Sequence, residues 1–169
     1  APGRGPTGTP GSVGTPLERT SVPADPATGA DAAPPVTRVV VRPMRTDEAA
    51  AVGALTLAAY DRYGSITGPY REDLADPTRR LDQVSALLVA EHHPAGPARR
   101  AAATLAGTVS YVTPSDRGWE HGQPPPGDAG FRILAVAPEH EGHGIGTALV
   151  RAVLARARAE GRGRVLLTS

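Results

Sequence analysis

The sequence contains no cysteine and no lysine, and it has one Met, one Trp and one Phe in 169 residues. Without Cys there can be no disulfide scaffold, no thiolate metal site and no thiol nucleophile. Without Lys there can be no Walker A loop, whose Gly-Lys-Ser/Thr core needs that ammonium. No apolar run approaches the roughly 18 residues that a membrane helix requires. No secretory h-region of about 7–15 apolar residues opens the chain. The net charge of +1 gives none of the basic excess expected of a nucleic-acid binder. The chain therefore reads as cytoplasmic, with neither nucleic acid nor membrane as a partner. All 18 basic residues are Arg, and with the many Ala, Gly and Pro this points to a high-GC coding bias.

What the sequence does hold is unevenly spread. Eight of the 18 Pro and six of the 20 Gly fall in residues 1–36. Apolar side chains are sparse there and follow no period, so this segment cannot offset its ordering entropy and reads as a disordered tail. Residues 37–169 form the domain. Val39-Val40-Val41 reads as a strand. Thr46 reads as an N-cap, with Asp47 and Glu48 in the first turn. Val52, Leu55 and Ala59 make the buried stripe of a helix. Residues 68–84 carry a shorter helix broken near Pro77. Ala86–Glu91 and Thr104–Val112 form a hairpin, with His92-His93 as exposed residues of its turn and no third ligand to make a metal site. Phe131–Val136 is a strand, Gly144–Glu160 an amphipathic helix ended by Gly161, and Arg164–Thr168 a last strand. Arg151, Arg156 and Arg158 mark that helix's solvated face. The order β-α-α-β-β-β-α-β predicts an α/β (α+β) domain with a mixed, mostly antiparallel sheet flanked by helices.

The chemistry concentrates in Leu134-Ala-Val-Ala-Pro-Glu-His-Glu-Gly-His-Gly-Ile-Gly-Thr-Ala-Leu149. An apolar strand enters a glycine loop that opens a helix. Gly142, Gly144 and Gly146 remove Cβ atoms where backbone N–H groups would approach a ligand, and the helix N-terminus adds free donors and a positive dipole end. This arrangement suits a phosphate or pyrophosphate. The spacing does not fit a Rossmann fingerprint, because Thr147 stands where the third Gly belongs. The alternative for the glycines is a left-handed turn joining strand to helix.

Val136-Ala137-Pro138 followed by Glu141-Gly-His-Gly144-Ile-Gly146 resembles the signature of the Gcn5-related N-acetyltransferase (GNAT) family, V-x-P then Q/R-x-x-G-x-G/A. Glu141 departs from it, standing where the family has Gln or Arg. The resemblance extends over residues 37–169 and implies acetyl-CoA as acyl donor. Backbone groups of Leu134, Ala135 and Val136 would pair with the pantetheine arm. The loop and first helical turn, Gly142, His143, Gly144, Ile145, Gly146 and Thr147, would hold the pyrophosphate. No metal is implied. The acceptor would be a primary amine on a small molecule or peptide, attacking the thioester directly. Of the acids and bases in residues 114–130 (Asp116, Glu120, His121 and Asp128), Glu120 beside Trp119 is the candidate base. Tyr60 and Tyr63 are either lining of the acceptor site or aromatics at the core edge. The family fold continues past this point with a helix and a hairpin. The expectation is thus a C-terminally incomplete domain, weakly stable and weakly active, or one completed by a second chain, as in a homodimer. A non-catalytic acyl-CoA-binding module, an inactive fragment and a nucleotide-binding protein of another fold are the competing readings.

Overall fold

The computed structural model describes residues 37–95, 102–118 and 123–167. The chain divides into Ala1–Ala32 and Ala33–Ser169, and all described residues lie in the second unit. The tail expected at residues 1–36 lies outside the described residues.

Five strands, β1 (Arg38–Pro43), β2 (Ala86–His93), β3 (Thr104–Val112), β4 (Ala129–Val136) and β5 (Val165–Leu167), form one sheet in chain order. The first three pairings are antiparallel and β4–β5 is parallel. A parallel pair needs a crossover, which α4 (Ile145–Ala159) supplies. On the other face lie α1 (Ala49–Asp61), α2 (Pro69–Ala75) and the short α3 (Thr78–Leu81). Pro77 separates the last two, as the sequence predicts.

Both sheet faces are buried, which explains the unbroken apolar run Leu87-Leu-Val-Ala90. Leu88 and Ala90 pack with Leu149, Val153 and Ala157 of α4. Leu87 and Val89 pack with Val52 of α1. Leu55 and Ala59 of α1 meet Ala135 and Ala137 at the end of β4. The facing pattern of β4 changes partway along. Phe131 belongs to the α4 side, and four residues later Ala135 belongs to the α1 side. Between them Ile133 takes φ +51°, the one non-glycine with positive φ among the described residues. The β3–β4 register slips beside it, between Thr108 and Ser110, as a bulge requires.

The start of α1 differs from expectation. Thr46–Glu48 is a 3₁₀ turn, and Thr46 does not cap it. Glu48 reaches back instead, accepting the Arg45 N–H at 2.9 Å and Arg42 Nη1 at 2.8 Å. Arg42 also bonds Glu91, so a guanidinium clamp joins β1, β2 and the head of α1, and it outcompetes a Thr hydroxyl for the turn.

Helix α1 lies very close to α2. A Cβ built on Gly53 would sit 1.9 Å from the Ala75 carbonyl oxygen. Gly53→Ala would ordinarily favour a helix by about 1 kcal/mol. Here it is expected to destabilise the fold by about 1–3 kcal/mol, read as a lower melting temperature.

The Arg42 hydrogen bonds hold the Glu48 carboxyl down at about 2, against the opposing effect of burial and an ordinary value of 4.5. A carboxylate whose pKa is lowered by folding contributes stability above its unfolded pKa and loses it as pH falls towards the folded value. Glu48→Gln is therefore expected to cost about 1–3 kcal/mol at pH 7. In denaturant titrations its deficit relative to wild type should shrink as pH drops from about 4.5 to about 2.

Candidate functional site

Strand β4 has two different halves. Ala129–Phe131 pair with β5 in register with Val165–Leu167, the last pairs among the described residues. Past the Ile133 kink, Val136 and Ala135 still pair with Gly107 and Thr108 of β3. Among the described residues no strand lies along the other edge of Leu134–Val136. Three residues of backbone thus keep an unpaired edge in the interior of a sheet, where a ligand amide chain could add as a strand.

The chain then enters a 3₁₀ turn, Pro138–His140, and the glycine loop. Gly142 and Gly144 both take φ +76°, and a Cβ on either would meet nothing within 4 Å. Their requirement is conformational, so the turn itself accounts for two of the three glycines. Gly144 is the N-cap of α4, its carbonyl accepting the Ala148 N–H at 2.9 Å. Gly146 is different. It is helical, and a Cβ there would make only ordinary contacts, 3.7 Å from Val136 and 4.0 Å from Leu134. Nothing within the protein demands glycine at Gly146, whereas close approach of a ligand to the free N–H groups of the first turn would.

These pieces converge on a cavity of about 720 Å³. It is lined by Leu134, Ala135 and Val136 of β4, by Gly142, Gly144, Ile145, Gly146 and Thr147, by Ala59 and Tyr60 of α1, and by Tyr63 just after it. The structure therefore brings together every expected donor-site residue except His143. That side chain turns aside, its Nδ1 3.0 Å from the Glu141 carbonyl oxygen. Its ring lies 5.2 Å from that of His92, and His140 lies 4.8 Å from His92 on another side. The expectation that His92 and His93 are turn residues fails, because β2 runs on through them. Arg38 pairs with His93, and Thr104 with His92. Burial and the neighbouring histidines push the His92 pKa down. Among the described residues no group of three His, Asp or Glu side chains is placed to hold a metal.

The loop carries no Arg of its own. Glu141, where a Gln or Arg was expected, is paired with Arg62 just beyond the end of α1. This contact holds the Arg62 guanidinium pKa above its usual range. Both side chains are about half exposed, 48% and 47%, so the pair is weak and exchangeable. Sequence reasoning missed Arg62 because its partner is 79 positions away and no local pattern marks it. Tyr60 is half-buried, and its phenol is pushed up to about 12, chiefly by burial and then by Tyr70. It therefore stays protonated at neutral pH and keeps a proton to donate. Tyr63 is 87% exposed, at the rim of the cavity.

Two of the four expected acid–base candidates have structural work. The Asp116 carboxylate accepts the N–H groups of Thr113 and Ser85 at 2.6 and 2.9 Å. Buried Asp128 binds Arg164 at 2.8 Å and ties the approach to β5 onto β4. Glu120 and His121 lie outside the described residues, as does Thr168 of the expected last strand. On α4, Arg156 is not wholly solvated, since it lies 5.3 Å over the Tyr111 ring and bonds Glu160.

The acetyltransferase (GNAT) family profile matches residues 51–169. The chain belongs to the GNAT acetyltransferase family. Among solved structures it is similar to a GNAT acetyltransferase from Brucella melitensis, determined in complex with acetyl-CoA. That match has 25% identity, a TM-score of 0.55, and coverage of 78% of this chain and 77% of the other. A GNAT-family acetyltransferase from Staphylococcus aureus Mu50 superposes with a TM-score of 0.57 at 10% identity, over 78% and 74% of the two chains. At that identity it supports the fold alone. No curated protein matches the sequence.

Proposed function

We propose that this GNAT domain transfers an acetyl group from acetyl-CoA to a primary amine on a small molecule or peptide, without a metal. The observation that carries this reading is the open edge of Leu134–Val136, running straight into the Gly142–Thr147 loop along one cavity. Pantetheine is an extended chain with two amides, and a free strand edge matches its donors and acceptors. The diphosphate then reaches the first turn of α4, where free N–H groups and the helix dipole meet it. The Brucella protein's complex with acetyl-CoA supports the same donor here.

In the reaction the neutral amine attacks the thioester carbonyl. A backbone N–H of β4 beside the Ile133 kink would stabilise the oxyanion. The intermediate collapses to the amide and the CoA thiolate. The proton lost by the amine passes to a base, for which Glu120 remains the proposed residue. Protonated Tyr60, lining the cavity, is a donor available to the thiolate. Arg62 offers the positive charge that Glu141 withholds from the loop, by leaving that carboxylate for the diphosphate.

Calorimetry with acetyl-CoA, CoA and ATP tests the donor, and thiol release with an amine panel tests turnover. Binding of ATP in preference to both CoA species would overturn the reading. Gly146→Val is expected to weaken acetyl-CoA binding about tenfold or more while moving the melting temperature by only a few degrees. Unchanged affinity would remove the close-approach argument. Glu141→Gln should tighten CoA binding severalfold and Arg62→Ala should weaken it, each with little change in stability. Both effects should fade at high salt.

A further inference from the structure

Arg80 is the polar side chain in this domain with the least to bind. It sits on α3, is 4% exposed, and among the described residues its Nε, Nη1 and Nη2 atoms are all buried without a hydrogen-bond partner. A guanidinium presents five donors and cannot readily lose its charge. Buried charges are ordinarily paired, because desolvating one without an opposite charge is costly. The local backbone fixes it there. The Arg80 N–H bonds the Pro77 carbonyl at 3.1 Å, and Asp76 holds the head of α3 through the Thr78 N–H at 3.0 Å.

A second cation is tied to the same place. The Gln83 carbonyl just after α3 accepts the Gly118 N–H at 2.7 Å, and the Gly118 carbonyl accepts Arg132 Nη1 at 2.6 Å. Arg132 belongs to β4, next to the Ile133 kink, on the face towards α1. The two guanidiniums repel, and burial together with Arg132 pulls the Arg80 pKa down to about 10. Tyr60, Tyr70 and Asp73 oppose that shift. Asp73 is not a dedicated counterion, since it is 40% exposed and lies 3.8 Å from Arg79. Tyr60 feels both Arg80 and Arg132 and also lines the donor cavity. The unpartnered Arg80 guanidinium is therefore a near neighbour of Tyr60, which borders the donor cavity.

We propose that Arg80 anchors the acceptor, and that the amine substrate carries an oxyanion, a carboxylate or a phosphate, which the buried guanidinium receives. This rests on the acetyltransferase reading above and narrows its acceptor from any primary amine to an anionic one. Guanidinium forks pair with both oxyanions in a bidentate manner. Such a site would discriminate strongly, because a neutral acceptor would leave the buried charge unpaired.

The test uses the full chain saturated with acetyl-CoA and acceptors in matched pairs. These are α-amino acids against their carboxamides, and O-phosphoethanolamine against ethanolamine. The anionic member of at least one pair should be acetylated with kcat/KM higher by about tenfold or more, and which pair responds distinguishes carboxylate from phosphate. Arg80→Met should abolish the preference and leave acetyl-CoA affinity within about twofold, while Arg80→Lys should retain part of it. Arg80→Met should also leave the melting temperature of the free protein unchanged or raised, because it removes an unpaired buried charge. The anionic amine should raise the melting temperature of wild type and not of Arg80→Met. Equal use of neutral amines, a preference that survives in Arg80→Met, or unfolding of that variant would each overturn the inference. So would the absence of both turnover and melting shift with every anionic amine. A chain that binds no acyl-CoA refutes the parent reading and this one with it. A chain that binds acyl-CoA and prefers neutral amines refutes this one alone.

Discussion

The site depends on the change of face within β4, where Phe131 belongs to the α4 side and Ala135 to the α1 side. Ile133 at φ +51° makes that change, while Ala135 and Val136 stay paired with β3. A β-branched residue in that conformation is strained, and the surroundings hold it there. Ile133 is buried, β3 absorbs the slip, and Asp128–Arg164 fastens β5 below the kink. Two consequences follow from one backbone angle. Ala135 turns towards α1 to wall the cavity, and Arg132 faces the α1 side just before the bend.

Legibility in the sequence followed the range of each interaction. The strand, glycine loop and helix around residues 134–149 are written in contiguous residues, so their type and order could be read directly. Ala86–Glu91 was equally legible as a strand, while its burial on both faces came only with the packing of α1 and α4. The glycines were only half readable. Gly142 and Gly144 serve the turn, and only Gly146 lacks an internal reason, a distinction that needs dihedral angles and Cβ distances. What could not be read were contacts across long separations. Arg62 reaches Glu141, Glu48 rather than Thr46 closes the turn before α1, and β2 continues through His92 because neighbours from two other strands extend it. Asp116 and Asp128 looked like free loop carboxylates, and pairing with distant groups gave them structural duties.

Arginine as the sole basic residue shapes how this domain handles charge. Arg42 is partly buried and Arg80 fully buried, and they differ in what faces them. Arg42 meets two carboxylates, Glu48 and Glu91, and its pKa rises. Arg80 is buried without a hydrogen-bond partner, and that burial, with Arg132 nearby, lowers its pKa. In the first case the fork geometry is saturated within the protein, so the charge stabilises the junction of β1, β2 and α1. In the second case the same fork is presented with its donors unused. Fold stability cannot explain the second arrangement, since an apolar residue of similar length would fill the space without a desolvation cost.

Arg62 and Arg80 also suit two different tasks. Arg62 is half exposed and held by a weak pair at the loop, so it can exchange partners with little penalty, which suits a donor that must bind and leave on each turnover. Arg80 is rigidly placed and dry, which suits selection, because charge recognition is strongest where water is excluded. Between them lies the kinked end of β4, where the thioester and the amine would have to meet. Donor exchange at the solvent side and acceptor discrimination at the buried side can therefore be tuned through different residues, with the geometry of Ile133 common to both.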